Sequence, residues 1–212
     1  MIPPRARAAI ALALGDRRTI GLGLLLIGIG VVGKLALLGY ANIETVFVAS
    51  LLAGSVLGRA WTVLVPLSVL GILQPFLWGT EYPGYGLEAI AGITFFVVTG
   101  FVFVALAGRR MRGRVLARVR SVALLTTLSI PLTVAYDLWT DVGDWYFLFR
   151  PAGIDFVTVL TWQLPFTLYH LLSSLIFVPL VGSSFLVLHE HLAAARHARS
   201  EPNPAEPGER SD

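Results

Sequence analysis

The sequence contains no cysteine, a single lysine and few charged residues of either sign, only 14% of its 212 residues. Without cysteine the chain can form no disulfide bond, thiolate metal site or cysteine nucleophile. A soluble domain has about 25% charged residues, so the scarcity of charge excludes a typical cytosolic enzyme, a nucleic-acid-binding module and a disordered chain. Apolar residues are abundant instead, at 56% of the chain, with a mean hydropathy of +0.76. This composition indicates a membrane-embedded protein.

Apolar runs recur along the chain with short polar breaks between them. A membrane-crossing helix needs about 20 mainly apolar residues, and six candidate runs lie at 20–38, 46–57, 61–78, 87–107, 122–138 and 157–188. In the last run we expect the regular helix to begin at Pro165, after a lead-in segment at 157–164. The sequence therefore predicts an all-α, polytopic membrane protein with six transmembrane helices within 20–192. A basic cytosolic segment at 1–19 precedes them, and a disordered polar cytosolic tail at 193–212 follows.

Arginine is concentrated in alternate loops. If the N-terminus lies inside, fourteen of the sixteen Lys and Arg residues fall in inner segments, and Arg150 alone falls in an outer loop. By the positive-inside rule, this pattern predicts a multi-pass protein of the cell (plasma) membrane with both termini in the cytosol. The basic run at 109–120 sets this topology and contacts anionic lipid of the bilayer, so we expect no nucleic-acid partner.

Acidic and aromatic residues gather at the opposite, outer ends of the predicted helices. The acidic ones are Glu44, Glu81, Glu88, Asp137, Asp141, Asp144 and Asp155. One interpretation is an aromatic belt at the lipid headgroups with solvated acids. The other is the mouth of a binding site, and composition leaves both open.

The segment 136–145 carries two of these acids four residues apart. If the fifth helix extends this far, Asp137 and Asp141 share one face, and Pro131 loosens the backbone before them. A carboxylate near the end of a membrane helix is costly unless it faces water, a partner or a ligand. This favours an outer cavity, with a solvated helix end as the alternative.

Three further polar positions stand out in apolar surroundings. Gln163 and His170 are seven residues apart and share a helix face, which we expect to look inward because lipid penalises polar groups. A bond from His170 to a neighbouring helix is an equal alternative. Lys34 can snorkel to the interface, pair with an outer acid or meet a ligand. Adjacent helical residues diverge, so the His-Glu-His run at 189–191 predicts no metal site.

Taken in order, these segments resemble the substrate-binding S components of energy-coupling factor (ECF) transporters, which are six-helix proteins of about this size. In segment 34–59 a basic residue ends the first helix, an N-x-E turn opens the second, and a Gly-rich stretch closes it. Segment 136–144 resembles the YD-L-x-T-N-x-G motif of some members, with Asp in place of Asn at its sixth position. The Leu-Pro-Phe run at 164–166, followed by His170, resembles their LPF…H segment. The resemblance covers about residues 30–185.

The resemblance implies capture of a vitamin, a vitamin precursor or a similar small molecule from outside. A membrane-embedded T component and two cytosolic ATPases would release it inward, so this chain itself would be no enzyme and would need no cofactor or metal. The residues implied at the ligand are Asn42, Glu44, Asp137, Trp139, Asp141, Gln163 and His170, with Lys34 as a further candidate. The acidic, aromatic mouth favours a cationic or ring-containing ligand.

Two other functions stay open. An intramembrane enzyme would use Asp137, Asp141 and His170, brought within hydrogen-bond reach around a cavity. A non-catalytic membrane assembly subunit would have no enclosed outer cavity, and its acids would face water. The first helix also lacks the Ala-x-x-x-Ala motif by which many S components dock on the T component, which leaves coupling to the ATPases open.

Overall fold

The computed structural model describes residues 14–40, 42–43, 45–80 and 84–200, with side chains described up to residue 195, and these ranges hold six α-helices and no strand. The helices are α1 (Arg17–Ala36), α2 (Val46–Val56), α3 (Trp61–Thr80), α4 (Leu87–Arg109), α5 (Val119–Asp144) and α6 (Phe156–Ser200). A π-helical turn and a 3₁₀ turn connect α5 to α6. All helices except α2 are long and apolar enough to cross a membrane, so the prediction of an all-α, polytopic membrane protein is confirmed.

The outer surface of the bundle suits a bilayer. Large apolar side chains such as Val32, Ile72 and Leu180 are exposed on it. Lipid tails are apolar, so contact with them is as favourable for these side chains as burial in the protein. Except for Arg150, the described arginines of the loops lie at one end of the bundle, here called the basic end, with Arg59 and Arg109 as markers. Asp144 ends α5 at the opposite end, here called the acidic end.

Helix α2 is short and lies at the centre. Its 11 residues extend about 16 Å, roughly half the hydrocarbon thickness of a bilayer. Every residue from Val46 to Ser55 is buried, because α1, α3, α4 and α6 all pack against it. A helix that is apolar all round is stable only in such surroundings. Since α2 begins at Val46, part of the bundle centre toward the acidic end is left without a helix.

Small residues allow α2 and α4 to approach backbone to backbone. A Cβ on Gly54 would lie 1.8 Å from the carbonyl oxygen of Ala105, and a Cβ on Gly108 would lie 2.5 Å from that of Leu51. Real Cβ atoms do not come so near, so only glycine fits at both positions. Gly54 and Gly108 therefore serve the internal packing of α2 on α4, as small residues do between membrane helices.

Helix α6 starts earlier and ends later than predicted. The Asp155 carboxylate accepts hydrogen bonds from the backbone N–H (3.0 Å) and hydroxyl (2.6 Å) of Thr158, a side-chain cap that starts the helix at Phe156. The prediction that the regular helix begins at Pro165 is therefore wrong, since proline is tolerated inside a helix among other membrane helices. The same side-chain hydrogen bond from Thr158 lowers the pKa of Asp155 below its ordinary value.

At its other end α6 continues through the predicted boundary at residue 193 to Ser200, because the run of alanines at 193–195 favours helix. The predicted tail beyond residue 200 lies outside the described residues. Near this end the Arg18 guanidinium donates to the carbonyl of His189, and Glu190 accepts from the backbone N–H of Ala117. These bonds join α1, α6 and the loop before α5 at the basic end. Within the described chain, no group of three or more His, Asp or Glu residues is placed to hold a metal ion.

Candidate functional site

A cavity of about 140 Å³ lies toward the acidic end of the bundle, in the space that the short α2 leaves open. All six helices and the loop between α1 and α2 contribute to its wall. Of the residues implied by the sequence, six line this central cavity: Lys34, Asn42, Asp137, Asp141, Gln163 and His170. The structure thus brings together side chains that lie up to 136 positions apart in the chain.

A buried Asp–His pair forms one side of the central cavity. Asp137 Oδ1 and His170 Nδ1 are 2.7 Å apart, and both side chains are buried. An ionised carboxylate only accepts hydrogen bonds, so the imidazole donates from Nδ1–H. In a neutral imidazole with this hydrogen bond, the Nε2 lone pair is the remaining acceptor. This hydrogen bond to Asp137 fixes which nitrogen of His170 carries the proton.

Two aromatic rings hold the imidazole in place. Phe47 of α2 and Tyr136 of α5 meet His170 edge to face, with ring centroids 5.5 and 5.3 Å away. Tyr136 itself packs on Phe101 of α4, with centroids 4.4 Å apart. The orientation of His170 therefore depends on side chains from three other helices.

The Asp–His pair belongs to a polar seam between α5 and α6. The hydroxyls of Thr133 and Ser174 are hydrogen-bonded at 2.8 Å. Thr133 lies four residues before Asp137 on α5, and Ser174 lies four residues after His170 on α6, so this bond is one turn further from the acidic end. Seven residues in the other direction, the Gln163 amide lies 3.5 Å from the Asp144 carboxylate. The three pairs have the same spacing on α5 and on α6 because the two helices run antiparallel. Gln163 and His170 therefore share one face of α6, as their spacing of seven residues predicts.

Three buried polar atoms in the wall of the central cavity have no hydrogen-bond partner among the described residues. They are Asp137 Oδ2, His170 Nε2 and Gln74 Oε1. More than 90% of buried polar groups in folded proteins are hydrogen-bonded, and each orphan costs about 1–3 kcal/mol. Three such groups around one cavity are typical of a site that can accept a ligand with matching polar groups.

The charge of the wall is unbalanced. Asp137, Asp141 and Asp144 contribute three carboxylates from one face of α5, whereas Lys34 is the only lysine or arginine in the described wall. The N-terminus of α2 near Val46 adds a partial positive charge of about one half. Acidic groups at this depth are expensive without compensation, so the wall favours a positive occupant.

One predicted residue that the structure describes, Trp139, lies outside this wall. The Trp139 indole N–H donates to Thr99 of α4 at 2.9 Å, and its ring packs on Phe96 with centroids 4.6 Å apart. Trp139 therefore binds α5 to α4 on another side of the bundle. Glu44 lies outside the described residues.

The structure adds wall residues that sequence reasoning had not selected: Gln74, Tyr136, Thr140, Asp144 and Thr167. Gln74 had a signal, because it is a lone amide just before Pro75 in an otherwise apolar run. Helical periodicity already places Asp144 one turn beyond Asp141 on the same face, and it could also have found Thr140, three residues beyond Asp137.

Comparison with known proteins adds a family but no activity. No curated protein and no solved structure matches this chain. One family model matches residues 16–197, a stretch that contains the central cavity and all but the last residues of α6. The chain therefore belongs to DUF6580, a family of unknown function.

Proposed function

We propose that this protein is the solute-binding subunit of an uptake system in the plasma membrane, which takes a small molecule from outside into the central cavity. The observation that carries this proposal is that three residues lining one cavity, Gln74, Asp137 and His170, each have a buried polar atom without a hydrogen-bond partner. Ligand sites in proteins have this form: a concave, largely preformed space with a few convergent polar groups.

The position of the cavity suits capture from outside. Asp137 lies seven residues before the end of α5 at Asp144, hence about 10 Å below the acidic end. With the orientation that the arginine distribution predicts, this end faces outward. A solute would then enter between the outer ends of the helices and meet the Asp–His pair at the bottom of the site.

The volume of the cavity bounds the ligand. A cavity of about 150 Å³ holds a molecule such as benzene, and the central cavity is of similar size at about 140 Å³. It therefore suits a single-ring vitamin precursor or a short-chain solute. A larger vitamin would enter only if the helices moved apart.

Inward release requires partners. The sequence has no Gly-rich phosphate-binding loop of the G-x-x-x-x-G-K-[ST] type, so our proposal assigns the use of ATP to partner subunits. In our proposal a membrane-embedded T component and cytosolic ATPases drive release, as the resemblance to S components implies. Purification from native membranes under mild detergent, with identification of co-purifying ATPases, would test this part separately.

Binding is tested by thermal unfolding of the purified protein in detergent against a panel of vitamins and their precursors. A ligand that binds only the folded state raises the melting temperature by mass action. We expect at least one compound to stabilise the wild type, with the effect lost in Asp137→Ala and His170→Ala. Trp139→Phe, outside the wall, is the matched control and should respond as the wild type does. A folded protein that no compound stabilises would contradict the proposal.

A second candidate function is an intramembrane enzyme, because the Asp137–His170 pair has the geometry of a general base. The carboxylate orients the imidazole, and Nε2 is left as an acceptor, as in hydrolases. No described serine is hydrogen-bonded to His170 Nε2, so the nucleophile would have to be water. Mass spectrometry of a stabilising compound after long incubation separates the two: unchanged compound supports binding, and a product supports catalysis.

A further inference from the structure

We infer that the central cavity binds a small organic cation whose charged group donates several hydrogen bonds, such as an ammonium or amidinium attached to one ring. This inference rests on the proposed function and narrows it to one class of solute. Three independent properties of the wall lead to it: the chemistry of its unpartnered atoms, its charge, and its aromatic members.

The unpartnered atoms are all acceptors. Asp137, Gln74 and His170 expose only 5%, 6% and 2% of their surface, so these groups cannot turn outward to bulk water. Asp137 Oδ2 and Gln74 Oε1 are oxygens that accept hydrogen bonds. In the neutral imidazole whose Nδ1–H donates to Asp137, His170 Nε2 accepts as well. A ligand that satisfies all three must donate three hydrogen bonds. Ammonium and amidinium groups have three and four N–H bonds, whereas a hydroxyl has one and a carboxylate none.

The charge of the wall selects in the same direction. The wall contains three carboxylates, one lysine and a helix N-terminus with a partial charge of about +0.5. The negative charges therefore exceed the positive ones. An anionic ligand would add to this excess, and a neutral one would leave it uncompensated. A planar amidinium can also form the paired, charge-assisted hydrogen bonds that carboxylates make with guanidinium groups.

The aromatic members add a third contribution. Phe101 and Tyr136 both line the cavity and pack on each other. Ring faces attract cations and stack on flat ligands, and the attraction increases when water is excluded. A ring that carries its charge on an amino or amidino group uses both the acceptors and these rings.

Three commercially available probes of one ring and nearly equal size test the inference: benzamidine, benzyl alcohol and benzoate. Equilibrium binding to the purified full-length protein is measured by calorimetry, with thermal unfolding as a second readout. We expect benzamidine to bind at least tenfold more tightly than either other probe. Asp141→Asn and Gln74→Leu should each weaken benzamidine binding at least tenfold, since each removes a charge or an acceptor. Trp139→Phe should change it less than twofold.

Variants are compared only if they elute as a single species and unfold cooperatively. Asp144→Asn replaces Asp141→Asn if the latter fails this check, because both remove one charge from the same wall. Benzamidine binding that all these variants retain would place the probe elsewhere and overturn the inference.

The failure of this inference differs from the failure of the proposed function. If benzoate or benzyl alcohol binds more tightly than benzamidine and His170→Ala abolishes it, the cavity binds solutes but not cations. If none of the three probes binds, the charge of the compounds that raise the melting temperature in the vitamin panel tests the inference. Stabilisation by neutral or anionic compounds overturns it, and stabilisation by cationic compounds supports it. If no compound of either set binds the folded protein, the proposed function itself fails.

Discussion

Replacement of the Asp137–His170 pair by apolar residues should reveal how strongly its two members depend on each other. In His170→Leu, the Asp137 carboxylate loses its only hydrogen-bond partner in the described structure while it stays buried next to Asp141. Removal of the partner of a buried charge leaves that charge uncompensated and costs about 3–5 kcal/mol of unfolding free energy. We expect about 3 kcal/mol, the lower end of this range.

The reverse replacement should cost less. In Asp137→Leu, a neutral imidazole is left with both nitrogens unpartnered, and an unsatisfied buried polar group costs about 1–3 kcal/mol. We expect about 2 kcal/mol. The double variant removes both polar groups, and apolar substitutes for a buried pair are often neutral or stabilising. It should lose about 1 kcal/mol instead of the roughly 5 kcal/mol that two independent losses would give.

The four proteins of this cycle are compared by reversible unfolding in lipid–detergent mixtures with increasing sodium dodecyl sulfate. Tryptophan fluorescence and circular dichroism should report the same transition if unfolding is two-state. Losses that add to within about 0.5 kcal/mol would refute the reasoning, since residues without contact behave additively. Solute binding should be lost in all three variants, including the stable double variant, which separates the role of the pair in binding from its role in folding.

Three more predictions concern the frame around the site. Gly54→Ala should destabilise the protein by about 1–3 kcal/mol, because its Cβ would collide with a carbonyl of α4. Gly28 has open space around it, so Gly28→Ala should stabilise the protein by about 0.5–1 kcal/mol. Equal effects of the two variants in the unfolding titration would contradict the central place of α2. A double-mutant cycle of Thr133→Ala and Ser174→Ala should give a coupling energy of about 0.6 kcal/mol, and no more than about 1.7 kcal/mol, as is typical of neutral hydrogen bonds between membrane helices. A coupling energy as large as that of the Asp–His pair would refute this prediction. Asp155→Ala should lower the stability of the protein at neutral pH. The difference in stability from wild type should hold above 3.8, the ordinary pKa of an aspartate, and disappear as the pH falls through the lowered pKa of Asp155 in the folded state. A difference that persists at low pH would argue against the cap.

The helices were largely predictable because a bilayer allows few structures. Backbone groups within lipid must be hydrogen-bonded internally, so apolar runs become helices, and α3 and α4 begin at Trp61 and Leu87 as predicted. The start of α6 was not, because the local cap at Asp155 outweighs the effect of Pro165. Hydropathy measures only how long an apolar run is, and a cap depends on one side chain outside it.

Part of the candidate site was also predictable. Helical periodicity placed Asp137 with Asp141, and Gln163 with His170, and all four line the central cavity. Periodicity does not tell which neighbour a face meets, so the packing of Trp139 on α4 could not be foreseen. Their roles in binding stay predictions until the solute is measured.

The sequence by itself determined the all-α membrane architecture, the two differently charged ends and the faces on which polar residues lie. These properties follow from composition and helical period, which are local. Only the tertiary structure decided that α2 is short, buried and central, that a cavity lies beyond its first residue, and that Gln74 joins Asp137 and His170 there. The physical reason is that distances between helices depend on packing among residues far apart in the chain, such as Gly54 against Ala105, and a periodic pattern in one helix contains no information about its partner.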